Sequence, residues 1–201
     1  MVRHGESVGN IAGVHQSGQT QLSEHGVRQA RIVAERFKNI SVNIIFSSDY
    51  IRAAKTADMI SRAVNKPVHH TPLLRELKRP TVLEGKHMHD PSIQKTKREL
   101  EENSHKMDWH HSDEENPYDF KKRVIEFIDF ISLQKERNIV VVTHGMFLRM
   151  MTAVLLLGYD VDIDLYYKMS SIFKLQNTGI TVWEKREEWR LITWNDHAHL
   201  G

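Results

Sequence analysis

Two short apolar runs constrain the fold of this chain more than any other feature of its sequence. Residues 42–46 and 139–142 are almost entirely apolar, which is typical of strands buried on both faces. Apolar residues also recur at helical spacing after Ser23, a predicted helix N-cap, and again before the second run. They are Val27, Ala30, Val33, Ala34 and Phe37, then Val124, Phe127, Ile128 and Ile131. This alternation of strands and helices predicts an α/β fold around a parallel sheet.

Similar signals predict the remaining elements. A helix that begins near Tyr50 would carry Arg52 in its first turn, and another helix is predicted over 146–157, with Gly158 as its C-cap. Three runs near the C-terminus are predicted to be short strands that extend or edge the sheet, namely 171–176, 178–183 and 189–194.

Length and charge limit the domain organisation and the partners. The chain has 201 residues, of which 40% are hydrophobic, so we expect a single domain over 1–201. The polar, histidine-rich stretch at about 78–118 is predicted to be an inserted, partly helical, cap-like segment over a cleft. The formal net charge of +2 gives no case for a nucleic-acid partner.

Other features bear on the cellular environment. The sequence contains no cysteine, which excludes a disulfide framework, a thiolate nucleophile and a cysteine-based zinc site. Its longest apolar run, 150–157, is too short for a membrane span, and the N-terminus lacks the pattern of an export signal. We therefore expect a cytoplasmic protein with no membrane partner.

Two histidine-glycine pairs indicate an active site. Arg3-His4-Gly5-Glu6 and Thr143-His144-Gly145 lie far apart in the sequence, and each follows an apolar stretch. A histidine just past a strand end presents its ring to a cleft, and the glycine after it lets backbone and ligand approach closely. Arg3 adds a planar guanidinium that matches phosphate oxygens. We predict that the two segments form one site.

Further segments of the chain resemble motifs of one family, the histidine phosphatase superfamily, also called the phosphoglycerate mutase-like family. The Arg-His-Gly-Glu segment and the second His-Gly match its two catalytic motifs. The resemblance extends through Asn10, the stretch 22–30, the stretch 47–57 with Arg52, Leu74-Arg75-Glu76-Leu77, and Glu84-Gly85-Lys86. The first motif begins after only two residues, where the family has a complete first strand. Either that strand is short here or the numbering begins inside a longer chain.

The resemblance implies a fold and an activity. The fold is a three-layer α/β/α sandwich with a mostly parallel central sheet. The activity is that of a histidine acid phosphatase-type phosphomonoesterase, a metal-independent phosphatase that hydrolyses phosphomonoesters through a phosphohistidine on His4. A cofactor-dependent phosphoglycerate mutase is the alternative, disfavoured because such mutases are longer. A regulatory protein that binds a phosphorylated ligand without turnover is the non-enzymatic alternative.

The chemistry of phosphoryl transfer assigns a role to each motif residue. His4 is the predicted nucleophile, with its second ring nitrogen held by a backbone carbonyl. Arg3 and Arg52 are expected to bind the phosphate, and His144 to donate a further hydrogen bond as imidazolium. Two further residues are predicted to contact the phosphate: Asn10 and Gly145.

Three carboxylates compete for the role of general acid. Glu76 is the first candidate, because a carboxyl group enclosed near phosphate can stay protonated near neutral pH. The stretch 77–80 departs from the commonest family pattern, which makes Glu84 a rival, and Glu6 is a weaker one.

Polar residues outside the catalytic motifs have other expected roles. Lys78 and Arg79 either reach a second anionic group of the substrate or form a solvated loop. Histidines outside the motifs lack the spacing of a zinc site, so no metal and no cofactor are expected. Asn177 and the stretch 195–200 are expected to stabilise the sheet edge. The expected partner is a small phosphorylated substrate, bound by a monomer or a homodimer.

Overall fold

A computed structural model of the protein describes residues 1–201, and six strands form its central sheet. The strands are β1 Val2–Arg3, β2 Ile44–Ser47, β3 Val68–His70, β4 Ile139–Thr143, β5 Ile180–Lys185 and β6 Trp189–Asp196. Their order is β3-β2-β4-β1-β5-β6, and the first four run parallel. Strand β5 is antiparallel to β1, and β6 is antiparallel to β5. The predicted mostly parallel sheet is therefore confirmed.

Seven α-helices accompany the sheet. They are α1 Val8–Ala12, α2 Glu24–Phe37, α3 Ile51–Val64, α4 Gln94–Glu102, α5 Pro117–Ser132, α6 Gly145–Leu157 and α7 Ile163–Ile172. Short 3₁₀ turns lie at Pro72–Leu74, Thr81–Leu83, Pro91–Ile93 and Ala198–Leu200. No helix combines the length and the apolar character that crossing a bilayer requires.

The side chains of the inner strands divide between two hydrophobic cores, because successive residues of a strand face opposite sides of the sheet. Ile45 and Val140 pack with residues of α2 and α3 in one core. Phe46 and Val141 pack with residues of α5, α6 and α7 in the other. Helices therefore cover both faces of the sheet, as a three-layer sandwich requires.

Most elements agree with the sequence patterns. Ser23 caps α2, because its Oγ accepts a hydrogen bond from the Gly26 N–H at 2.9 Å. The helix with Arg52 in its first turn, the helix closed by Gly158 and the last two predicted strands are all present.

The predicted strand over 171–176 is wrong. Helix α7 extends to Ile172, and the residues after it join no strand. Their carbonyl groups accept hydrogen bonds from arginine side chains instead. The Phe173 carbonyl accepts from Arg149 Nε at 2.8 Å, and the Leu175 carbonyl accepts from Arg3 Nη1 at 2.6 Å. Backbone groups satisfied in this way are not available to a sheet.

The stretch 78–118 starts and ends at one place on the domain. The Glu115 N–H donates to the Lys78 carbonyl at 3.1 Å, and the Lys78 N–H donates to the Glu115 carboxylate at 3.0 Å. Thr81 Oγ1 likewise donates to Asp113 at 2.6 Å. Helix α4 lies between these ties, so the stretch is partly helical.

Candidate active site

The parallel pairing of β1 with β4 brings the two histidine motifs together. Val2 lies opposite Val142 and Arg3 opposite Thr143, so the residues that follow these pairs emerge side by side at the carboxyl ends of the strands. The centres of the His4 and His144 rings are 5.1 Å apart, and both residues are buried. Open α/β sheets bind ligands at this end of their strands.

His4 is held in one tautomer, with Nε2 unprotonated. Its Nδ1 lies 2.6 Å from the Gly5 carbonyl, which accepts a hydrogen bond from Nδ1–H, so the proton of the neutral ring is on Nδ1 and Nε2 is unprotonated. Arg52 Nε donates to this Nε2 at 3.3 Å. Burial, followed by the nearby charges of Arg52 and Arg3, lowers the pKa of His4 well below its ordinary value. The ring is therefore neutral, as a nucleophile must be, and the expected carbonyl partner is present.

Arg52 is a buried cation with no carboxylate partner. It projects from the first turn of α3, and its Nη1 donates to the Ser17 carbonyl at 2.9 Å. Its guanidinium lies 5.3 Å from the centre of the Tyr50 ring. Burial lowers its pKa. A surface ion pair is thereby ruled out for Arg52, and its charge is available to an anion in the pocket.

Arg3 supplies a second cation. Nη1 of Arg3 donates to the Leu175 carbonyl, while Nε is buried and has no hydrogen-bond partner. Buried donors are rarely left without an acceptor, and an oxygen of a bound phosphate would supply one. The position of Arg3 fits the predicted phosphate-binding role.

His144 begins α6 and faces His4. Its Nε2 lies 2.9 Å from Ser48 Oγ, and its Nδ1 is buried without a partner. Burial, then the neighbouring charges of Arg52 and Arg3, lowers the pKa of His144 well below its ordinary value. A charged His144 ring would be a third buried cation beside Arg3 and Arg52, so these surroundings disfavour the expected imidazolium.

The two glycines of the motifs have different surroundings. A Cβ atom on Gly5 would lie 2.5 Å from the Gly26 carbonyl oxygen, so this glycine permits close contact with the start of α2 rather than with a ligand. A Cβ atom on Gly145 would lie 3.6 Å from Arg3 Nε and 3.5 Å from Arg149 Nη1. Gly145 therefore borders the cations, where a phosphate would be close.

Glu76 binds the first turn of α6. Its carboxylate oxygens accept hydrogen bonds from the N–H groups of Met146 at 3.0 Å, Phe147 at 3.1 Å and Leu77 at 3.1 Å. A carboxylate at a helix N-terminus satisfies free N–H groups and complements the helix dipole. Glu76 thus lies against the helix that His144 begins, and donating a proton would require an oxygen to leave this contact.

The rival carboxylates lie elsewhere. Glu84 is exposed, in the loop after the turn Thr81–Leu83. Glu6 accepts a hydrogen bond from Ser23 Oγ at 2.7 Å and lies 3.4 Å from His25 Nδ1, at the start of α2. Of the three candidates, Glu76 alone contacts an element that carries a predicted site residue.

Asn10 combines a local role with a place beside His4. Its Oδ1 accepts from the Ser7 N–H at 3.0 Å in the capping box of α1, so its amide nitrogen is left without a partner. Asn177 Nδ2 donates to the His4 carbonyl at 2.9 Å and lies 3.5 Å from Asn10 Oδ1. Asn177 therefore belongs to the site, although its expected role was at the sheet edge.

The sequence patterns do not single out three other residues of the site. Ser48, Tyr50 and Arg149 contact or border the predicted residues. Ser48 and Tyr50 lie within the motif that contains Arg52, which is a signal that could have identified them. Lys78 forms an exposed ion pair with Asp113 at 3.1 Å, as a solvated loop would. No group of three His, Asp or Glu side chains is arranged to hold a metal ion.

The α/β sheet thus brings together two buried histidines, two desolvated arginines and uncommitted donors at the carboxyl ends of its parallel strands. Such an arrangement is suited to a bound phosphate group. A family model, "Histidine phosphatase superfamily (branch 1)", matches residues 1–197. The chain belongs to this superfamily.

Individual relatives are phosphatases and a mutase. The "Probable phosphoglycerate mutase GpmB" of Proteus mirabilis (strain HI4320) is 42% identical over 78 residues, which cover 38% of this chain and 36% of that protein. The matched region thus spans about a third of the curated relative. A phosphoserine phosphatase of Entamoeba histolytica in complex with 3-phosphoglyceric acid superposes with a TM-score of 0.75 at 27% identity, covering 99% of this chain and 96% of that one. The α-ribazole phosphatase of Shigella flexneri shares the fold, with a TM-score of 0.80 at 24% identity over 97% and 94% of the two chains.

Proposed function

We propose that the protein is a metal-independent phosphomonoesterase that acts through a phosphohistidine on His4. The observation that carries the proposal is the state of the His4 ring. Nδ1–H donates to the Gly5 carbonyl, so Nε2 is unprotonated, and its lone pair accepts a long hydrogen bond of 3.3 Å from Arg52 Nε. A neutral imidazole next to buried cations is suited to attack a phosphate group.

In the first step, His4 Nε2 forms a bond to phosphorus while the bond from phosphorus to the ester oxygen breaks. Arg3 and Arg52 balance the negative charge that develops on the equatorial oxygens. The departing alkoxide needs a proton, for which Glu76 is the candidate because it binds the helix that follows His144. In the second step a water molecule attacks phosphorus, the phosphorus–nitrogen bond breaks, and inorganic phosphate leaves with the histidine neutral again.

Glu76 would take both proton-transfer roles. It would give its proton to the leaving oxygen and then accept one from the attacking water. Its hydrogen bonds to α6 hold it near the site, and release of one oxygen from the helix would accompany catalysis. Glu84 remains the rival, and substitution distinguishes the two.

The test is hydrolysis of 4-nitrophenyl phosphate with EDTA present. We expect turnover in the wild type and a loss of at least about 10³-fold in His4→Ala, because the nucleophile is removed. Glu76→Gln should lose about 10² to 10³-fold, and Glu84→Gln should retain activity. A larger loss in Glu84→Gln would move the acid role to Glu84, and full activity in His4→Ala would exclude the phosphohistidine.

A phosphoglycerate mutase is the second candidate, favoured by the partial match to the GpmB relative. Interconversion of 2- and 3-phosphoglycerate without release of inorganic phosphate would establish it. A protein that binds phosphorylated ligands without turnover is the third candidate. It would show neither reaction, but would bind vanadate or inorganic phosphate in a manner that depends on Arg52.

A further inference from the structure

The turn Ala198–Leu200 is connected to the backbone of His4 through Thr178. His199 lies in that turn, and its Nε2 is 3.2 Å from Thr178 Oγ1. The Thr178 N–H donates to the Arg3 carbonyl at 3.0 Å and, over a longer distance of 3.4 Å, to the His4 carbonyl. The imidazole of His199 is therefore linked by a single residue to the backbone of the proposed nucleophile.

Thr178 holds an unusual backbone conformation. Its φ angle is +58°, in the left-handed region, and the residue is fully buried. A β-branched side chain rarely adopts this conformation, because its Cβ substituents crowd the backbone. Strain of this kind persists only where the surrounding contacts enforce it, and it is concentrated at functional sites. The contacts that enforce it here are those with the first histidine motif and with His199.

The hydrogen bonds around His199 run in one direction. Arg36 of α2 can only donate, so His199 Nδ1 accepts from Arg36 Nη1 at 3.3 Å. The proton of the neutral ring is then on Nε2, which donates to Thr178 Oγ1. The Thr178 hydroxyl in turn donates to the Asn177 carbonyl at 2.7 Å. Burial, followed by the charge of Arg36, lowers the pKa of His199, which favours this neutral ring.

Asn177 completes the contact with the nucleophile. Its Nδ2 donates to the His4 carbonyl at 2.9 Å, while the His4 N–H donates to the Thr143 carbonyl of β4 at 3.0 Å. Both backbone polar groups of His4 are therefore bound, one by the neighbouring strand and the other by Asn177 and Thr178. We call His199, Thr178 and Asn177 the C-terminal network.

Arg36 also anchors the chain that leads to His199. It forms an ion pair with Asp196, and the Asp196 carboxylate accepts a hydrogen bond from the Ala198 N–H at 3.0 Å. The same guanidinium thus holds the ring of His199 and the residues before it. The position of His199 is therefore set by α2, a helix of the packed core.

We propose that the C-terminal network positions the nucleophile. His199 holds Thr178 in its left-handed conformation, and Thr178 and Asn177 together fix the backbone of His4 for attack on phosphorus. His199 is a positioning residue, since it acts through Thr178. A displacement of about 1 Å in a reacting group can cost about a hundredfold in rate, so such positioning affects turnover. This inference rests on the phosphomonoesterase proposed above.

Substitution of His199 gives the first test. His199→Ala should lower kcat for 4-nitrophenyl phosphate by about tenfold and change KM by less than about twofold, because Arg52 keeps its own bond to the Ser17 carbonyl. His199→Gln should recover most of the rate, because its amide can donate to Thr178 Oγ1 as Nε2 does. His197→Ala, at an exposed position two residues earlier, is the matched control and should behave as the wild type. An unchanged kcat in His199→Ala would overturn the proposal.

Thr178→Gly separates positioning from folding. Glycine adopts a positive φ without strain, so this variant should unfold at nearly the same urea concentration as the wild type. It nevertheless lacks the hydroxyl that His199 binds, and its backbone is less restricted. We expect kcat to fall by about tenfold in this stably folded chain. A wild-type kcat would show that the bond between His199 and Thr178 does not position His4.

NMR of the imidazole ¹⁵N nuclei separates this inference from the proposed function. The His4 ring should show the Nδ1–H tautomer, with its signals assigned by their absence in His4→Ala. His199→Ala should shift these signals, and His197→Ala should leave them in place. A shift in a chain whose wild type hydrolyses nothing would support the C-terminal network and reject the phosphatase. Hydrolysis by the wild type, with kcat and the His4 signals both unchanged in His199→Ala, would reject the network and keep the phosphatase.

Discussion

Two regions of the molecule are held in place by different means. One is the candidate phosphate pocket, formed by Arg3, His4, Arg52 and His144, and the other is the stretch 78–118. The pocket residues follow buried strands or lie in first helical turns, and backbone carbonyls fix their side chains, as Gly5 does for His4 and Ser17 for Arg52. The ends of the stretch 78–118 are tied together largely by polar contacts, such as the exposed one between Thr81 and Asp113. Its buried Leu83 and Ile93 belong to neither hydrophobic core of the sheet. Side chains positioned by a packed sheet have little freedom to move, whereas exposed polar pairs contribute little to the free energy of folding.

This difference has a functional meaning. Chemistry at phosphorus tolerates little displacement of the reacting groups, which suits residues anchored to the sheet. A segment that is anchored weakly can vary or move without disturbing the core. Small substitutions in the pocket should therefore change activity or stability strongly. Substitutions in the stretch 78–118 should change them weakly.

The largest effect is expected at Arg52. Arg52→Lys keeps the charge but loses the planar fork that binds His4 Nε2 and the Ser17 carbonyl together. We expect kcat/KM for 4-nitrophenyl phosphate to fall by about 10² to 10³-fold. Arg62→Lys on the exposed side of α3 is the control and should behave as the wild type. A loss below about fivefold would show that the pocket depends on charge alone.

The sequence specified the pocket better than its surroundings, for a physical reason. His4, Arg52 and His144 follow buried strands that local patterns reveal, so their meeting at one sheet edge is a consequence of topology. The contact of Glu76 with α6 joins residues about 70 positions apart in the chain, and no local pattern reports it. The sequence therefore identifies Glu76 as a candidate acid but does not reveal its hydrogen bonds to α6.

The incorrect prediction of a strand over 171–176 has the same cause, namely contacts between residues distant in the chain. Its residues have strand propensity, but their carbonyls accept from Arg149 and Arg3, which are distant in sequence. Tertiary contacts overrode the local preference. The bond from Asn177 to the His4 carbonyl is another contact between residues distant in the chain that no local pattern reports.

The second largest effect concerns stability at the base of the pocket. A Cβ atom on Gly26 would lie 1.8 Å from the Glu6 carbonyl oxygen, so Gly26→Ala forces α2 away from the first motif. We expect a loss of about 3 kcal/mol in the free energy of unfolding, measured by urea denaturation. Arg28→Ala, at an exposed position of the same helix, should change it by less than about 0.5 kcal/mol. Equal values for the two variants would contradict the close packing of α2.

The next prediction concerns acid pH. Folding lowers the pKa of His4 and of His144, so below pH 6.5 the unfolded chain binds protons that the folded chain does not. Stability is therefore fully present above the ordinary histidine pKa and is lost as pH falls below it. Each histidine should contribute a slope that approaches about 1.4 kcal/mol per pH unit.

Urea denaturation between pH 7.5 and pH 5.5 measures this slope. His144→Gln removes one titrating group, so the slope should fall by the contribution of one histidine. Met107→Leu, an exposed substitution within 78–118 that removes no titrating group, is the comparison and should leave the slope as in the wild type. A slope that is the same in all three chains would mean that the buried histidines are not the source.

The smallest effect is expected where the two regions meet, at Arg123 of α5. Its Nη1 donates to the carbonyls of Leu73 and Arg75 at 2.8 Å each, and its Nε and Nη2 bind the Glu115 carboxylate at 2.6 Å each. Arg123 thus joins the end of the stretch 78–118 to the backbone that leads to Glu76. We expect Arg123 to act as a positioning residue for the candidate acid.

Arg123→Lys should lower kcat for 4-nitrophenyl phosphate by about tenfold and leave KM nearly unchanged, because an ammonium cannot hold both carbonyls and the carboxylate in one plane. Lys122→Arg, at the exposed neighbouring position, is the control. A purely structural role would lower the free energy of unfolding and leave kcat of the folded chain intact. A positioning role would instead shift the pH profile of kcat, since Glu76 would exchange protons from a different place. Loss of kcat with the profile unmoved would argue that Glu76 is not the acid whose position Arg123 controls.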